Sequence, residues 1–116
     1  MRIAIKGRNT PVTDELQEHV ERRFRKIAKQ VSPLAELEVE VMEERNPAIA
    51  DSQVAEVTLH LKGVTLRAGD ASPDMTHSIN LCADELARQV KRHRDKRRRR
   101  REARSAAVRG DVSPAA

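Results

Sequence analysis

The sequence predicts an α+β domain with the element order β-α-β-β-β-α. Four short segments alternate apolar and polar residues, which is the period of a strand with one buried face. Two longer segments repeat apolar residues every three or four positions, which is the period of an amphipathic helix. A four-stranded sheet with one apolar face needs cover, and these two helices supply the apolar surfaces. We therefore expect two helices packed on one face of the sheet.

The first strand and the first helix are predicted within residues 2–31. Ile3 and Ile5 alternate with polar residues, as in a strand. Thr13 suits the N-cap of the helix, because its hydroxyl can accept a hydrogen bond from the first turn. Ser32-Pro33 ends the helix, since a residue before proline is disfavoured in the helical conformation. The expected core stripe of this helix is Leu16, Val20, Phe24, Ile27 and Val31.

Three further strands are predicted between residues 36 and 68. Leucine and valine alternate with glutamate over residues 37–41, so we expect the solvent-facing side of the sheet to be acidic. Residues 53–62 alternate again, and Gly63 allows a tight connection to a fourth strand over residues 64–68. The third and fourth strands are therefore predicted to form a hairpin.

The second helix is predicted to begin at Pro73, with Ser72 as its N-cap, and to run to about Arg104. Its apolar stripe stops at Val90, yet no glycine or proline follows before Gly110. We therefore expect the helix to continue past the body as a basic rod. The expected core stripe of this helix is Met75, Ile79, Cys82 or Ala83, Leu86 and Val90.

The chain divides into three predicted parts. Residues 1–96 form the α+β domain, which carries both apolar stripes. Residues 97–104 form a basic extension of the second helix. Residues 105–116 are small and polar and end in a proline-containing segment, so we expect a disordered tail or a linker there.

Positive charge is concentrated near the end of the chain. The net charge is +5, but residues 1–87 carry 11 Lys/Arg against 15 Asp/Glu, whereas residues 88–104 carry 11 Lys/Arg against two acids. Such a concentration indicates a polyanionic partner, with a merely solvated charged helix as the alternative. A membrane surface is disfavoured, because residues 91–104 present no bulky apolar side chain opposite the charges.

Contacts with phosphates and with RNA shape are the expected basis of this binding. Proteins that read single-stranded RNA usually stack its bases on aromatic side chains. The one aromatic residue of this chain, Phe24, falls on the core stripe of the first helix. Binding to structured RNA through its phosphates therefore fits the composition better than readout by base stacking.

The sequence contains no recognisable catalytic constellation. It has no glycine-rich phosphate loop, no Cys-x-x-Cys pair and no histidine pair at ligand spacing, so we expect no enzymatic activity, cofactor, metal site or small-molecule substrate. Cys82 lies on an apolar stripe and is predicted to be a buried core residue, with a reactive thiol as the alternative. No signal peptide or membrane span is recognisable, so a cytoplasmic location is expected.

Several segments together form a recognisable pattern: MRIAIKGRN at 1–9, TDEL at 13–16, FRKI at 24–27, TLHLKG at 58–63, DM at 74–75 followed by Ile79, and DELARQVKRHRDK at 84–96. These segments resemble one protein family, the ribosome hibernation promoting factors and ribosome-associated translation inhibitors. The likeness covers residues 1–96, and its most specific part is the last segment, residues 84–96. The family's fold has the order β-α-β-β-β-α and is similar to double-stranded RNA-binding domains.

The resemblance implies a translation inhibitor that acts on idle ribosomes. Such a protein binds the small ribosomal subunit under stress or in stationary phase, over the decoding region of 16S rRNA, and competes there with mRNA and with A-site and P-site tRNA. Long members of the family add a linker and a C-terminal domain that pairs ribosomes. We therefore expect this chain to be a short form or the N-terminal, ribosome-binding piece of a long form.

The resemblance also implies which residues hold the rRNA. Some positions depart from the family pattern: Thr76 stands in place of tyrosine, Asn80 in place of aspartate, and Glu85 where a basic residue is common. A charge-driven RNA-binding protein or RNA chaperone with no fixed site stays open as a different class of function. The implied contacts are Arg22, Arg23, Arg25, Lys26 and Lys29 on the first helix, Arg88, Lys91, Arg92, Arg94 and Lys96 on the second, and in addition Arg97, Arg98, Arg99, Arg100 and Arg101.

Overall fold

The computed structural model contains one four-stranded sheet with all helices on a single face, which confirms the predicted α+β architecture. It describes the backbone of residues 1–112 and the side chains of residues 1–106. The strands and helices follow the predicted order, except that the first helix is divided in two. The elements are β1 (Arg2–Arg8), α1 (Asp14–Arg23), α2 (Arg25–Ala28), β2 (Glu36–Glu43), β3 (Gln53–Leu61), β4 (Val64–Ser72) and α3 (Met75–Val112).

The sheet order β1-β2-β3-β4 follows the order of the strands in the chain. β1 and β2 are parallel, so the chain must cross over between them, and α1 and α2 make that crossover on one face of the sheet. The other neighbours are antiparallel. The predicted hairpin joins β3 to β4 through Lys62 and Gly63, and Gly63 adopts the left-handed φ of 80° that this tight turn requires.

The core lies between the sheet and the helices. Every second residue of β2 and β3 points into it, and the helices contribute the predicted stripes, with Leu16, Val31 and Met75 only partly buried at its margin. Phe24 is fully buried and has non-helical dihedrals, which interrupt the predicted single helix. The hydrogen bonds from Phe24 N to Val20 O and from Ala28 N to Phe24 O continue the helical path across this interruption.

The outer face of the sheet is not uniformly acidic, so that prediction is wrong. The parallel register places the basic side chains of β1 beside the glutamates of β2. Arg2 pairs with Glu36 at 3.5 Å, and Arg8 pairs with Glu40 at 3.3 Å. These exposed pairs add at most about 1 kcal/mol each to stability, but they neutralise the acidic strand. Only the pairing of β1 with β2, which the sequence did not specify, produces this arrangement.

The start of α3 differs from the prediction by two residues. Ser72 ends β4 and is buried, and Asp74 is the N-cap, because its Oδ2 accepts a hydrogen bond from His77 N at 3.2 Å. The Ser72 and Ser78 hydroxyl oxygens lie 2.7 Å apart, and Ser78 Oγ donates to Gln53 O at 2.6 Å. This buried hydroxyl pair attaches the first turn of α3 to the sheet, and it explains why Ser72 is drawn inward.

α3 continues well past the body of the domain. Val90 is its last buried residue, and every described side chain from Lys96 to Ala106 is exposed. With 38 residues the helix is about 57 Å long at roughly 1.5 Å per residue. The tail predicted from residue 105 is helical as far as Val112, and residues 113–116 of that prediction lie outside the described residues. Among the described residues, no helix is long and apolar enough to cross a membrane.

Candidate nucleic-acid interface

Two contacts set α1 beside α3. His19 Nε2 lies 2.9 Å from Asn80 Oδ1, and one turn later an Arg23 nitrogen lies 2.6 Å from Asp84 Oδ1. Both contacts advance by four residues along each helix, so the two helices run in the same direction. This arrangement follows from the sheet topology. α1 runs antiparallel to β1, α3 runs antiparallel to β4, and β1 and β4 point in the same direction. The two helices therefore enclose a groove on the side away from the sheet.

The groove between the helices is strongly basic. Ile27, Ala83 and Ala87 supply apolar lining, and the small alanines leave room between the helices. The acidic residues that line the groove are Asp84 and Asp95. Its cations come from both helices and from the projecting part of α3: Arg23, Lys26, Arg88, Lys91, Arg94, Arg97, Arg98 and Arg101.

Most of these cations have no acidic partner among the residues whose side chains the structure describes. Arg23 is paired with Asp84 at 2.6 Å, and Arg98 lies 3.7 Å from Asp95. Five other cations of the groove have no carboxylate within 4.0 Å among residues 1–106, so their charge is available for a ligand. Those five are Lys26, Lys91, Arg94, Arg97 and Arg101.

A second row of cations lies on the other flank of α3. Arg92, Lys96 and Arg100 recur every four residues and therefore share one side of the helix. They line a smaller depression with Gly63 and Leu66 of the β3–β4 hairpin. Because the two rows lie on different flanks of one helix, α3 can present phosphate-binding groups in two directions at once.

Glu85 restrains two of the arginines. Its Oε2 accepts hydrogen bonds from Arg88 at 3.0 and 2.7 Å, and its Oε1 lies 3.7 Å from Arg92. The hydrogen bonds from Arg88 and from Gln89 hold the pKa of the Glu85 carboxyl below its ordinary value, so it is ionised at neutral pH. Glu85 thus partly neutralises the guanidinium groups of both arginines.

The structure places the predicted RNA-binding residues in three groups. Arg23, Lys26, Arg88, Lys91 and Arg94 come together in the groove, joined there by Arg97, Arg98 and Arg101. Arg92, Lys96 and Arg100 lie on the other flank of α3. The remaining predicted residues line neither depression, although each is exposed: Arg22, Arg25, Lys29 and Arg99.

Sequence reasoning missed Gln30, a half-buried residue that lines the groove. Its spacing of four residues from Lys26 could have placed it on the same face, but α2 ends at Ala28, and the position of Gln30 depends on the turn that follows. Its amide is also uncharged, so the distribution of basic residues in the sequence did not indicate it. Gln30 adds a neutral hydrogen-bonding group at this margin of the basic surface.

The features outside this surface are structural. Cys82 is buried, its thiol donates to Ala55 O at 3.2 Å, and burial raises its pKa to about 12, which keeps it protonated and unreactive. Within the described residues, no three His, Cys, Asp or Glu side chains are grouped so that they could hold a metal ion. The basic groove and the second cationic flank are therefore the features that a functional account must explain.

Residues 3–98 match the sequence model of a family described as sigma 54 modulation protein / S30EA ribosomal protein. This chain belongs to that family. The match begins in β1, includes α1, α2 and the other three strands, and ends within the projecting part of α3. The resemblance noted from the individual segments is thereby confirmed.

Members of this family from several bacteria are similar to the chain. A ribosome hibernation promotion factor of Picosynechococcus is 32% identical over 83% of this chain, which spans only 50% of that relative. A ribosome hibernation promoting factor of Salmonella typhimurium is also 32% identical over 83% of the chain, and here 96% of the relative is covered. The factor of Lactococcus lactis is 35% identical over 93% of the chain, which again spans about half of the relative, 56%.

Solved structures share the fold. The N-terminal domain of Protein Y from Thermus thermophilus superposes with a TM-score of 0.69 at 24% identity, covering 80% of this chain and 99% of that one. A ribosomal subunit interface protein from Coxiella burnetii gives a TM-score of 0.67 at 17% identity, covering 82% and 99%. At these identities the likeness establishes the architecture alone.

Proposed function

We propose that this chain is a ribosome hibernation factor. It binds 16S rRNA in the decoding channel of the small ribosomal subunit, excludes mRNA and A-site and P-site tRNA, and inhibits translation under stress or in stationary phase. Family membership and the names of the relatives support ribosome hibernation as the process. The protein acts by occupying space, without catalysis, a cofactor or a small-molecule substrate, and its location is that of its partner, the cytoplasm.

The observation that carries this proposal is the basic groove between α1 and α3. Five of its cations have no acidic partner among the described residues, and such groups gain most from a phosphate backbone. The groove is built by packed helices, so the cations have a defined spacing. Defined spacing suits a folded RNA, whose phosphates are also held in place.

The proposed contacts keep the residues assigned from the sequence and divide them by location. The groove supplies the main set, and the second flank of α3 reaches phosphates on its other side. In the proposed organisation residues 1–96 dock on the rRNA, and the basic extension at 97–104 follows the RNA further. The proposed RNA-binding residues are Arg22, Arg23, Arg25, Lys26, Lys29, Arg88, Lys91, Arg92, Arg94 and Lys96, with Arg97, Arg98, Arg99, Arg100 and Arg101 in addition.

One observation favours a second candidate function, a charge-driven RNA-binding protein or RNA chaperone without a fixed site. The described part of α3 beyond Lys96 is exposed on all sides and carries five consecutive arginines, Arg97 to Arg101. A solvated basic rod attracts any polyanion through counterion release, whatever its shape. On this alternative the α+β body would serve only to carry the rod.

Co-sedimentation separates the two functions. The purified chain is mixed with small subunits, large subunits or bulk structured RNA at near-physiological salt, and again with small subunits that already hold mRNA and initiator tRNA. Occlusion of the decoding channel predicts saturation near one copy per small subunit and loss of binding on the pre-loaded subunits. Equal, unsaturated attachment to all the RNAs would leave only the charge-driven function.

A further inference from the structure

A third depression lies where the loop between α2 and β2, α3 and one end of the sheet meet. Its volume is about 610 Å³, within the range of roughly 300–1,000 Å³ typical of pockets for drug-sized ligands. Aliphatic side chains supply much of its lining: Val31, Leu34, Ala35, Leu61 and Val90. The residues assigned to RNA binding from the sequence are all basic, so they do not account for an aliphatic depression beside the cationic surface.

Leu34 is the unusual residue of this pocket. It is a large apolar side chain that is 90% exposed, far more than the other exposed large apolar residues, Val12 and Ile49. Its position is fixed by hydrogen bonds of the loop: Leu34 N donates to Ser32 Oγ at 3.1 Å, and Ala35 N donates to Ser32 O at 3.0 Å. The loop is in turn attached to β1, because Arg2 N donates to Ala35 O at 2.8 Å. These bonds hold the backbone of Leu34 at the edge of the pocket and leave its side chain accessible to a ligand.

The rim of the pocket is polar and carries a net positive charge. His60 and His93 contribute imidazole rings, Arg94 and Arg97 contribute guanidinium groups, Lys62 contributes an ammonium group and Glu36 a carboxylate. The Glu36 carboxylate lies 3.5 Å from Arg2, and His60 Nε2 lies 3.3 Å from Glu38 Oε2. Imidazole rings and guanidinium groups are, besides the larger aromatic residues, the groups on which unstacked RNA bases stack. Arg94 and Arg97 also line the basic groove, so the pocket is continuous with the proposed RNA-binding surface.

We propose that this pocket binds one unstacked nucleotide of the RNA that lies in the basic groove. The base rests on the aliphatic lining around Leu34 and beside the imidazoles, and its phosphate is held by Arg94 and Arg97. The cationic rim favours a nucleotide over an apolar peptide side chain, which would bring no negative charge to it. The inference rests on the proposed RNA-binding function and adds to it a site for a base. The only phenylalanine, Phe24, is fully buried and cannot supply such a site.

Photo-cross-linking tests the occupant directly. The photoreactive amino acid p-benzoylphenylalanine replaces Leu34 in the full chain, a change that the high exposure of this side chain tolerates. After irradiation with purified small subunits, we expect a cross-link to rRNA that maps to one nucleotide. The matched control carries the same amino acid at Ala71, an exposed position at the other end of the outer sheet face, where no rRNA cross-link is expected.

The possible results of this experiment have different meanings. A cross-link from position 34 only to a ribosomal protein, or none at all while the variant still co-sediments, overturns the nucleotide pocket and leaves the proposed function intact. Failure of the unmodified chain to co-sediment with small subunits overturns the proposed function itself. The two failures are therefore distinguishable in one preparation.

Substitution gives a second, independent readout. Leu34→Ala removes apolar contact area but no charge, so the affinity for small subunits should fall about tenfold while its dependence on salt stays unchanged. Ala71→Ser on the outer face is the control and should leave the affinity as it is. Thermal unfolding should be nearly the same for both variants, because both positions are exposed. An unchanged affinity of Leu34→Ala would overturn the proposal.

Discussion

Neutralising three cations of the basic groove is the sharpest test of the interface. The variant replaces Lys26, Lys91 and Arg101 by glutamine, which removes charge from α2, from the body of α3 and from its projecting part. Among the described residues none of the three has a carboxylate within 4.0 Å, and all three are exposed, so the substitutions break no internal ion pair. We therefore expect the fold and its stability to be retained.

The expected loss follows from counterion release. Each phosphate that a protein neutralises contributes about 0.7 to 0.9 to the slope of log affinity against log salt, so the slope should become shallower by about 2 to 3. At a salt concentration of about 0.15 M this corresponds to a roughly 100-fold weaker affinity, or about 2.7 kcal/mol, and near 1 M salt the difference should nearly vanish.

The assay is fluorescence anisotropy of an amino-terminally labelled chain titrated with small subunits over a series of salt concentrations. The matched control replaces Lys6, Arg45 and Arg67 by glutamine. All three are exposed, lie outside the groove and have no carboxylate within 4.0 Å among the described residues, so the same charge is removed without breaking an ion pair. This control should keep the wild-type slope. If both variants lose the same slope, binding follows total charge and the groove is not a defined interface. If the groove variant binds like the wild type, the groove is not the RNA-binding surface.

Three further predictions concern single residues. Glu85→Gln should release Arg88 and Arg92 from their carboxylate partner. In the same anisotropy assay, binding to small subunits should become about fivefold tighter at physiological salt and more steeply dependent on salt. Weaker binding would show that Glu85 positions these arginines. Because burial raises the pKa of Cys82 to about 12, the folded chain should react with a thiol reagent far more slowly than the unfolded chain. The free energy of unfolding should be fully retained at neutral pH and should decline above about pH 9, where only the unfolded thiol ionises. Rapid labelling of the native protein would contradict this. Phe24→Ala should lower the free energy of unfolding by about 3–5 kcal/mol, measured by urea denaturation, since it leaves a cavity in the core; a loss below about 1 kcal/mol would mean that the core closes around it.

Much of the fold could be read from periodicity. The alternation at residues 37–41 and 53–62 indicated strands because a strand buries every second side chain, and the spacing of Ile79, Leu86 and Val90 indicated a helix face. Local sequence patterns identified the strands and helices correctly but located their ends less accurately. Asp74 rather than Ser72 caps α3, because Ser72 is held in β4 by a contact with Ser78 that no local rule contains.

The candidate site was predictable in its chemistry but only partly in its geometry. The charge asymmetry alone indicated a polyanion, since eleven basic residues within a short stretch have no other evident role. Which cations share a surface depended on the packing of α1 and α2 beside α3, which brings Lys26 and Lys91 into one groove and leaves Arg92 on the other flank of α3. The exposed position of Leu34 beside an aliphatic pocket could not be predicted from the sequence, where one leucine in a loop has no periodic partner.

The sequence by itself determined the element order, the composition of the core and the concentration of positive charge near the end of the chain. These properties depend on local spacing and on composition, both of which are present in the unfolded chain. The tertiary structure decided which charges are neutralised, as between β1 and β2, and which remain available, as with Lys91 in the groove. It also decided where an aliphatic pocket meets the basic surface. Those properties depend on distances between segments far apart in the chain, and only the packing of helices on the sheet sets such distances.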